Sequence, residues 1–447
     1  MIQIQDLVCL TQLLLDDNDF DFIPIQVFWL ENLEELGASN NRIQSLQADQ
    51  IGKLRNLKVL GLNHNKLTAL PDQLFSLRQL EVLGLEGNDI EVLPEAVGNL
   101  ESLQELYLGN NCLLAIPDEL CMCTMLQMLS LANNKYLEKI PLEIMNLKYM
   151  QTLSLHNNRF SSIPDAFCFL NNLSHLTLNK NQLQCLPEGF GVLEKLSSLD
   201  LSDNFFEVFP APLCHLTHLE SLDIHQNSIA CLPPEFANLT SLKQLKARNN
   251  LLANFPLEIC RLEALEEVDF SDNKVELVPE ECKHLTSLRS LDLSNNNFVE
   301  FPAETCLIPN LVTLKFNQEK GQQISVLPED LEISSVSHLH VQHNKITAVP
   351  ECLPRMRNLN TFNANHNQIR VFPLSLCYMK QMEHLHLAAN RLELLPDEFD
   401  QLKHLKSLEL HDNPLKNPPA DVVVGGVLQP IGLFLRKFTE REGEAVL

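Results

Sequence analysis

The sequence predicts an α/β solenoid, in which short parallel strands stack side by side and each is followed by a short helical or 3-10 turn on the opposite side. Three observations predict it. Leucine recurs at fixed offsets every 23 or 24 residues, an asparagine follows the third leucine of nearly every period, and a proline closes each apolar run. Self-similarity at such a period marks a repeat array, where no unit can bury its apolar face alone and each must stack on its neighbours. That outweighs the roughly three globular domains suggested by a chain of 447 residues.

The unit reads Leu-x-x-Leu-x-Leu-x-x-Asn-x-Leu-x-x-Leu-Pro-x-x-φ-x-x-Leu-x-x, with φ apolar, and eighteen copies begin between Leu10 and Leu405. Its first element is a strand. Leu106 and Leu108, or Leu199 and Leu201, alternate with other residues, so the leucines point inward and their neighbours outward. A tight turn follows at the ninth position, which is Asn in seventeen of eighteen units, from Asn18 to Asn413. Its amide both donates and accepts, and so can satisfy backbone groups inside the coil that would otherwise cost about 1 to 3 kcal/mol each. The last element is a helical turn. Proline is expected at its first position in seventeen units, as at Pro71, Pro164 and Pro396, and in fourteen of these a carboxylate such as Asp72 or Glu188 follows within two residues. Proline at the first turn position with an acid close behind is a helix-start signal, so much of the negative charge is structural.

The ends and one irregular unit depart from this. Residues 1–9 read as an incomplete repeat, with Ile4, Leu7 and Leu10 forming an apolar end that suggests a missing upstream segment. The repeats run over 10–427, and residues 428–447 continue the helical spacing of Val423, Val427, Ile431, Leu435 and Phe438 as a C-terminal capping helix and tail. In the unit covering 311–335, Glu319 takes the asparagine position and Asn317–Ile324 holds extra residues. A weakened ladder there predicts a bend or a looser joint.

The pattern resembles the leucine-rich-repeat superfamily, specifically its intracellular class with Leu-Pro units of 23 residues. The resemblance covers residues 10 to about 427. It implies a horseshoe with a concave parallel β-sheet and short helical or 3-10 turns on the convex side. In repeat type and array length the chain is also similar to the scaffolds of this class that bind Ras-family GTPases, although no contact motif transfers residue by residue. A phosphatase-docking motif is not matched either, because Arg370-Val371-Phe372 lacks the spacer residue.

Composition narrows the function. A net charge of −25 argues against a nucleic-acid binder, which needs a basic footprint, and against anionic membrane surfaces. No apolar stretch is long enough to span a bilayer, and the first basic residue is Arg42, so no secretory leader is read. Cys168, Cys214, Cys260 and Cys306 recur two repeats apart. At about 10 Å that is beyond disulfide reach, so the thirteen cysteines are expected to be buried thiols of a cytoplasmic protein.

The third, fifth, seventh and eighth positions face the concave side, and three groups there are candidate partner contacts. Val82, Tyr107 and Met128, beside Gly61, Gly84 and Gly109, suggest a shallow apolar patch or merely scattered surface residues. Asp200, Asp223, Asp269 and Asp292 form same-column pairs that repel at about 5 Å, broken by Lys246 and Arg248. They suit a basic partner surface, or are a solvated face. Eleven of fifteen histidines lie in these columns, with His340 and His386 the candidate contacts; the strands carrying them are about 9.6 Å apart, too far to share a metal readily. No catalytic motif, cofactor fingerprint or paired zinc cysteines occur.

The expected function is therefore a monomeric, non-enzymatic scaffold or adaptor in intracellular signalling. It would bind proteins on its concave face, among them possible Ras-family GTPases or another basic protein surface, with no metal or cofactor. The alternatives are the ligand-sensing region of a larger receptor or multidomain regulator and, less in keeping with the residues, a metal-binding or enzymatic protein.

Overall fold

The computed structural model describes residues 7, 9–329, 331 and 334–417. The expected capping helix and most of the first nine residues lie outside them. Two compact units divide the chain, Met1–Asn227 and Ser228–Leu447. In the first, ten three-residue strands from β1 (Gln12–Leu14) to β10 (Ser221–Asp223) pair in parallel in sequence order. In the second, eight from β11 (Gln244–Lys246) to β18 (Ser407–Glu409) do the same. Each strand occupies the third to fifth positions of its unit, and each described turn lies in the second half, opposite the sheet. This is the leucine-rich-repeat solenoid architecture that the sequence predicts.

The leucines fill the space between sheet and turns. Leu103, Leu106, Leu108, Leu113 and Leu120 of one unit are fully buried. Phenylalanines complete the core where turns stack, as where Phe167 and Phe190 lie 6.3 Å apart at 10°. The ladder asparagine links units in both directions. Asn111 Nδ2 donates to Leu108 O and Gly109 O of its own unit and to Leu85 O of the unit before, while its Oδ1 accepts the Ile90 N–H at 3.0 Å. Each rung thus satisfies backbone groups of two successive repeats.

The turns are mostly five-residue 3-10 segments such as Asp72–Ser76 and Asp165–Phe169. Proline is not their first residue, as its frequency at that position suggests, but the extended residue before it: Pro71 has φ −76 and ψ 143, and Pro164 φ −70 and ψ 152. The carboxylate then opens the turn. Among the described residues, Ala48–Ile51 is the only α-helical turn, and there Gln47 stands in the proline's place.

The irregular unit carries one correction. Glu319 is exposed and is not the ladder residue. Gln318, fully buried, accepts the Asn296 N–H through Oε1 at 3.1 Å, while its Nε2 has no partner. Its longer side chain keeps the accepting half of the rung and loses the donating half. The extra residues close back on the previous unit through Gln322 N–H to Asn296 O at 2.8 Å. Gly321 is required there, since a Cβ would meet Asn296 O at 2.5 Å. Across the insertion β13 (Ser290–Asp292), β14 (Thr313–Lys315) and β15 (His338–His340) still pair in register.

Candidate functional site

Strand residues at the third and fifth positions are partly exposed in nearly every unit, as expected of a recognition face. The seventh and eighth positions are less free than the sequence suggests. At the seventh, Asp16 Oδ1 accepts the Ser39 N–H at 2.7 Å and Asn63 Oδ1 the Glu86 N–H at 2.9 Å, each tying one unit to the next. At the eighth, the backbone is left-handed in seventeen units, from Asp17 to Asp412 with Gly87 among them. Eleven of the seventeen are Asn, Asp or Gly, the types that tolerate this conformation. That bias was the available signal, and it assigns Asp203 and Asp272 a backbone role before any recognition role.

In the first unit the expected apolar patch is interrupted. Val82, Glu105 and Met128 share one column, so Glu105 separates the two apolar side chains. Tyr107 donates its hydroxyl to Glu105 at 2.8 Å, and burial together with that bond pushes its pKa up to about 12. Nor do the glycines leave an open floor. A Cβ on Gly84 would meet the Asn63 side chain at 2.8 Å, and one on Gly37 would collide with Asp16. These glycines make room for the side chains that bridge units.

Asp200 and Asp223 are paired in register, as predicted. Each also bonds locally: Asp200 accepts from the Ser202 N–H and hydroxyl at 2.9 and 2.6 Å, and Asp223 from the His225 ring at 2.7 Å. Burial raises the Asp200 carboxyl above its ordinary range. The hydrogen bond to Asp223 raises the His225 imidazole, whose other nitrogen lies 3.5 Å from Asp203. A protonated His225 partly neutralises this group.

The second unit holds Lys246, Arg248, Asp269 and Asp292. Lys246, Asp269 and Asp292 follow one column across three strands. Arg248 is exposed but pairs with Asp272 at 2.8 Å, leaving Asp269 and Asp292 to their serines: Ser271 donates to Asp269 at 2.6 Å and Ser294 N–H to Asp292 at 3.0 Å. Burial pushes the Asp292 carboxyl up despite Lys315 Nζ at 3.6 Å. Beside it a polar recess of about 280 Å³ is lined by Asp272, Asp292, Asn317, Glu319, Gln342 and His343 among others. In it the Asn317 and Gln342 side-chain oxygens are covered and accept no hydrogen bond.

His340 and His386 lie two strands apart with Asn363 between them. Burial lowers both, His340 to about 4, so both rings are neutral near pH 7. His386 Nε2 contacts Ser407 Oγ at 2.9 Å. His343 and His366, which the sequence merely counts among concave residues, stack at 4.4 Å and 8°. Among the described residues no cluster of three His, Cys, Asp or Glu could hold a metal ion, and no helix is long and apolar enough to cross a membrane.

A ladder of shared asparagines beneath a strand face of variable polar residues defines a repeat solenoid. Comparison with known families gives the same class: a leucine-rich-repeat region model matches residues 35–135, a leucine-rich-repeat model 148–206, and another 218–239 and 287–312. Over the matched residues the chain carries leucine-rich repeats, which generally mediate protein–protein interaction. No curated protein matches it. Among solved structures it is similar to a leucine-rich-repeat protein of Leptospira interrogans, with 28% identity and a TM-score of 0.64 over 96% of this chain and 90% of that one. It is also similar to the plant peptide hormone receptor RGFR1, solved in complex with RGF2 (26% identity, TM-score 0.71, 92% and 72% covered). A third is the Arabidopsis receptor kinase HAESA, in complex with the peptide hormone IDA and the co-receptor SERK1 (25%, 0.62, 92% and 76%).

Proposed function

We propose that this protein is a cytoplasmic signalling scaffold that binds a partner protein on its strand face, seating a basic segment against Asp269 and Asp292. The observation that carries this reading is the pair itself. Two carboxylates in adjacent strands share a column, and burial already disfavours the charge on Asp292. A Lys or Arg side chain from a partner relieves that repulsion, and the polar recess lined by Asp272, Asp292 and Glu319 lies beside the pair. A Ras-family GTPase is the particular partner that the repeat type suggests, with residence in the cytoplasm, where thirteen cysteines outside any disulfide stay reduced.

The test is proximity labelling in cells, followed by binding of purified Ras-family GTPases in both nucleotide states, with wild type and an Asp269→Lys, Asp292→Lys variant. At least a tenfold loss of affinity is expected from the variant, together with weaker wild-type binding as pH falls into the raised titration range of Asp292. Equal binding by both proteins would refute the strand-face reading. The receptor-like neighbours favour a second reading, a ligand-sensing region that takes a free peptide on the same face. Binding of isolated peptides, but of no folded protein, would decide for it.

A further inference from the structure

The irregular repeat interrupts one column of side chains beside the strands. In seventeen repeats the eighth position is left-handed, and neighbouring side chains there touch. Asn157 Nδ2 donates to Asn133 Oδ1 at 2.7 Å, Asn295 Nδ2 donates to Asp272 Oδ1 at 2.9 Å, and the His343 and His366 rings stack at 4.4 Å and 8°. The repeat of Gln318 is the exception. Its side chain is fully buried and serves the ladder through the Asn296 N–H instead. The column therefore lacks a member between Asn295 and His343, and the recess of about 280 Å³ lies there, with both residues in its lining. The inserted residues bound it: Glu319 lines it, and the Lys320 N–H donates to Asn295 Oδ1 at 3.0 Å. It is a slot in a stack of side chains, where one member has turned inward.

Two features of the slot select a flat cation. Its lining holds three carboxylates, Asp272, Asp292 and Glu319, against the one guanidinium of Arg248. Asp272 is already engaged, by Arg248 Nε at 2.8 Å and by Asn295. Asp292, bonded to the Ser294 N–H, has only Lys315 Nζ at 3.6 Å for a cation, and exposed Glu319 has no ion pair among the described residues. The second feature is a planar wall. His343 has one face on His366 in the following repeat, so its other face is turned towards the preceding repeat and the slot. Burial and then His366 hold its imidazole below the ordinary range, against the pull of Glu319, so the ring meets a cation uncharged near pH 7. A guanidinium stacks on such a ring and at the same time donates in its own plane to carboxylates, whereas an ammonium has neither a plane to stack nor a fork of donors.

We propose that the slot is an arginine socket, in which one arginine of the partner lies on the free face of His343 and donates to Asp292 and Glu319. This rests on the reading that a basic segment of the partner seats against Asp269 and Asp292, and it adds the residue which that segment must carry and the place where it enters. A lysine at that point keeps the charge and loses the stack.

The probes are two labelled nine-residue peptides, serine alternating with arginine in one and with lysine in the other, titrated by fluorescence anisotropy on the full chain. Wild type is expected to bind the arginine peptide at least fivefold tighter. His343→Asn keeps a residue type suited to the left-handed backbone and should bring the two peptides within twofold of each other, a ratio that a general loss of stability does not alter. Glu319→Gln, at an exposed side chain, should weaken the arginine peptide at least threefold with the melting temperature unchanged. The ring proton resonances of His343, identified by their absence in His343→Asn, should shift with the arginine peptide and not with the lysine one. The socket is overturned if wild type binds the two peptides equally or binds neither, if the arginine preference survives His343→Asn, or if Glu319→Gln leaves the arginine affinity intact. The strand-face reading fails separately, when Asp269→Lys, Asp292→Lys holds both peptides as wild type does. Loss of both peptides in that variant, with no arginine preference in wild type, keeps that reading and removes the socket alone.

Discussion

Ala389 has φ 51, a left-handed backbone at a residue whose Cβ disfavours it. The eighth position imposes that conformation on whatever residue stands there, whereas the neighbouring units use types suited to it or a bulkier residue at the same cost. Ala389→Gly removes the penalty, less what glycine loses in unfolded-state entropy, and is expected to stabilise the protein by about 0.5 to 1 kcal/mol in denaturant unfolding. His340 gives the opposite kind of dependence. Burial, then Lys315, His338 and His386, hold its imidazole down to about 4 from 6.5, so the folded state takes up this proton later than the unfolded state. Its contribution is complete above pH 6.5 and is lost as the pH falls from there towards 4, amounting to at most about 3 kcal/mol. His340→Gln should therefore lose less stability than wild type between pH 7.5 and 5. Equal losses would show that the ring titrates freely when folded.

The turn and its ladder residue form the next level, and the irregular repeat shows what they tolerate. Gln318 replaces asparagine one position early and keeps only the accepted bond from Asn296. Gln318→Ala leaves that buried N–H unpaired and should cost about 1 to 3 kcal/mol by thermal or urea unfolding, whereas Glu319→Ala, at an exposed side chain, should cost almost nothing. Reading the repeat from sequence placed the described strands and the buried leucines of the inner repeats, because burial of one face at a fixed period admits a single solution. It misplaced the rung at Glu319, because counting along the repeat cannot show that a longer side chain reaches the same N–H from the residue before. It also read Gly61 and Gly84 as an open patch, when the Ser39 and Asn63 side chains lie over them. Contacts between units leave no trace in the pattern of one unit.

Over the whole molecule, the 58 acidic residues include three groups with different roles. Carboxylates opening the turns serve the 3-10 segments, those at the eighth position serve the left-handed backbone, and a set on the strands, Asp200, Asp223, Asp269 and Asp292, faces outward at a cost. Only the first was evident from the sequence; the second is a bias at one column, visible once the column is known to be left-handed. The third was named as a column, but its local serine and histidine bonds depend on rotamers that no pattern carries.

Because ladder asparagines such as Asn88, Asn111 and Asn134 close hydrogen bonds in their own repeat and in the one before, no repeat in this stretch stands alone. Excision of residues 103–125 as a block would bring Asn134 to face the carbonyl and N–H that Asn111 now serves, and the chain would heal around the gap. Loss of half that length would strand every rung beyond it. Such a gene can lengthen or shorten by whole modules while its reading surface is edited one column at a time.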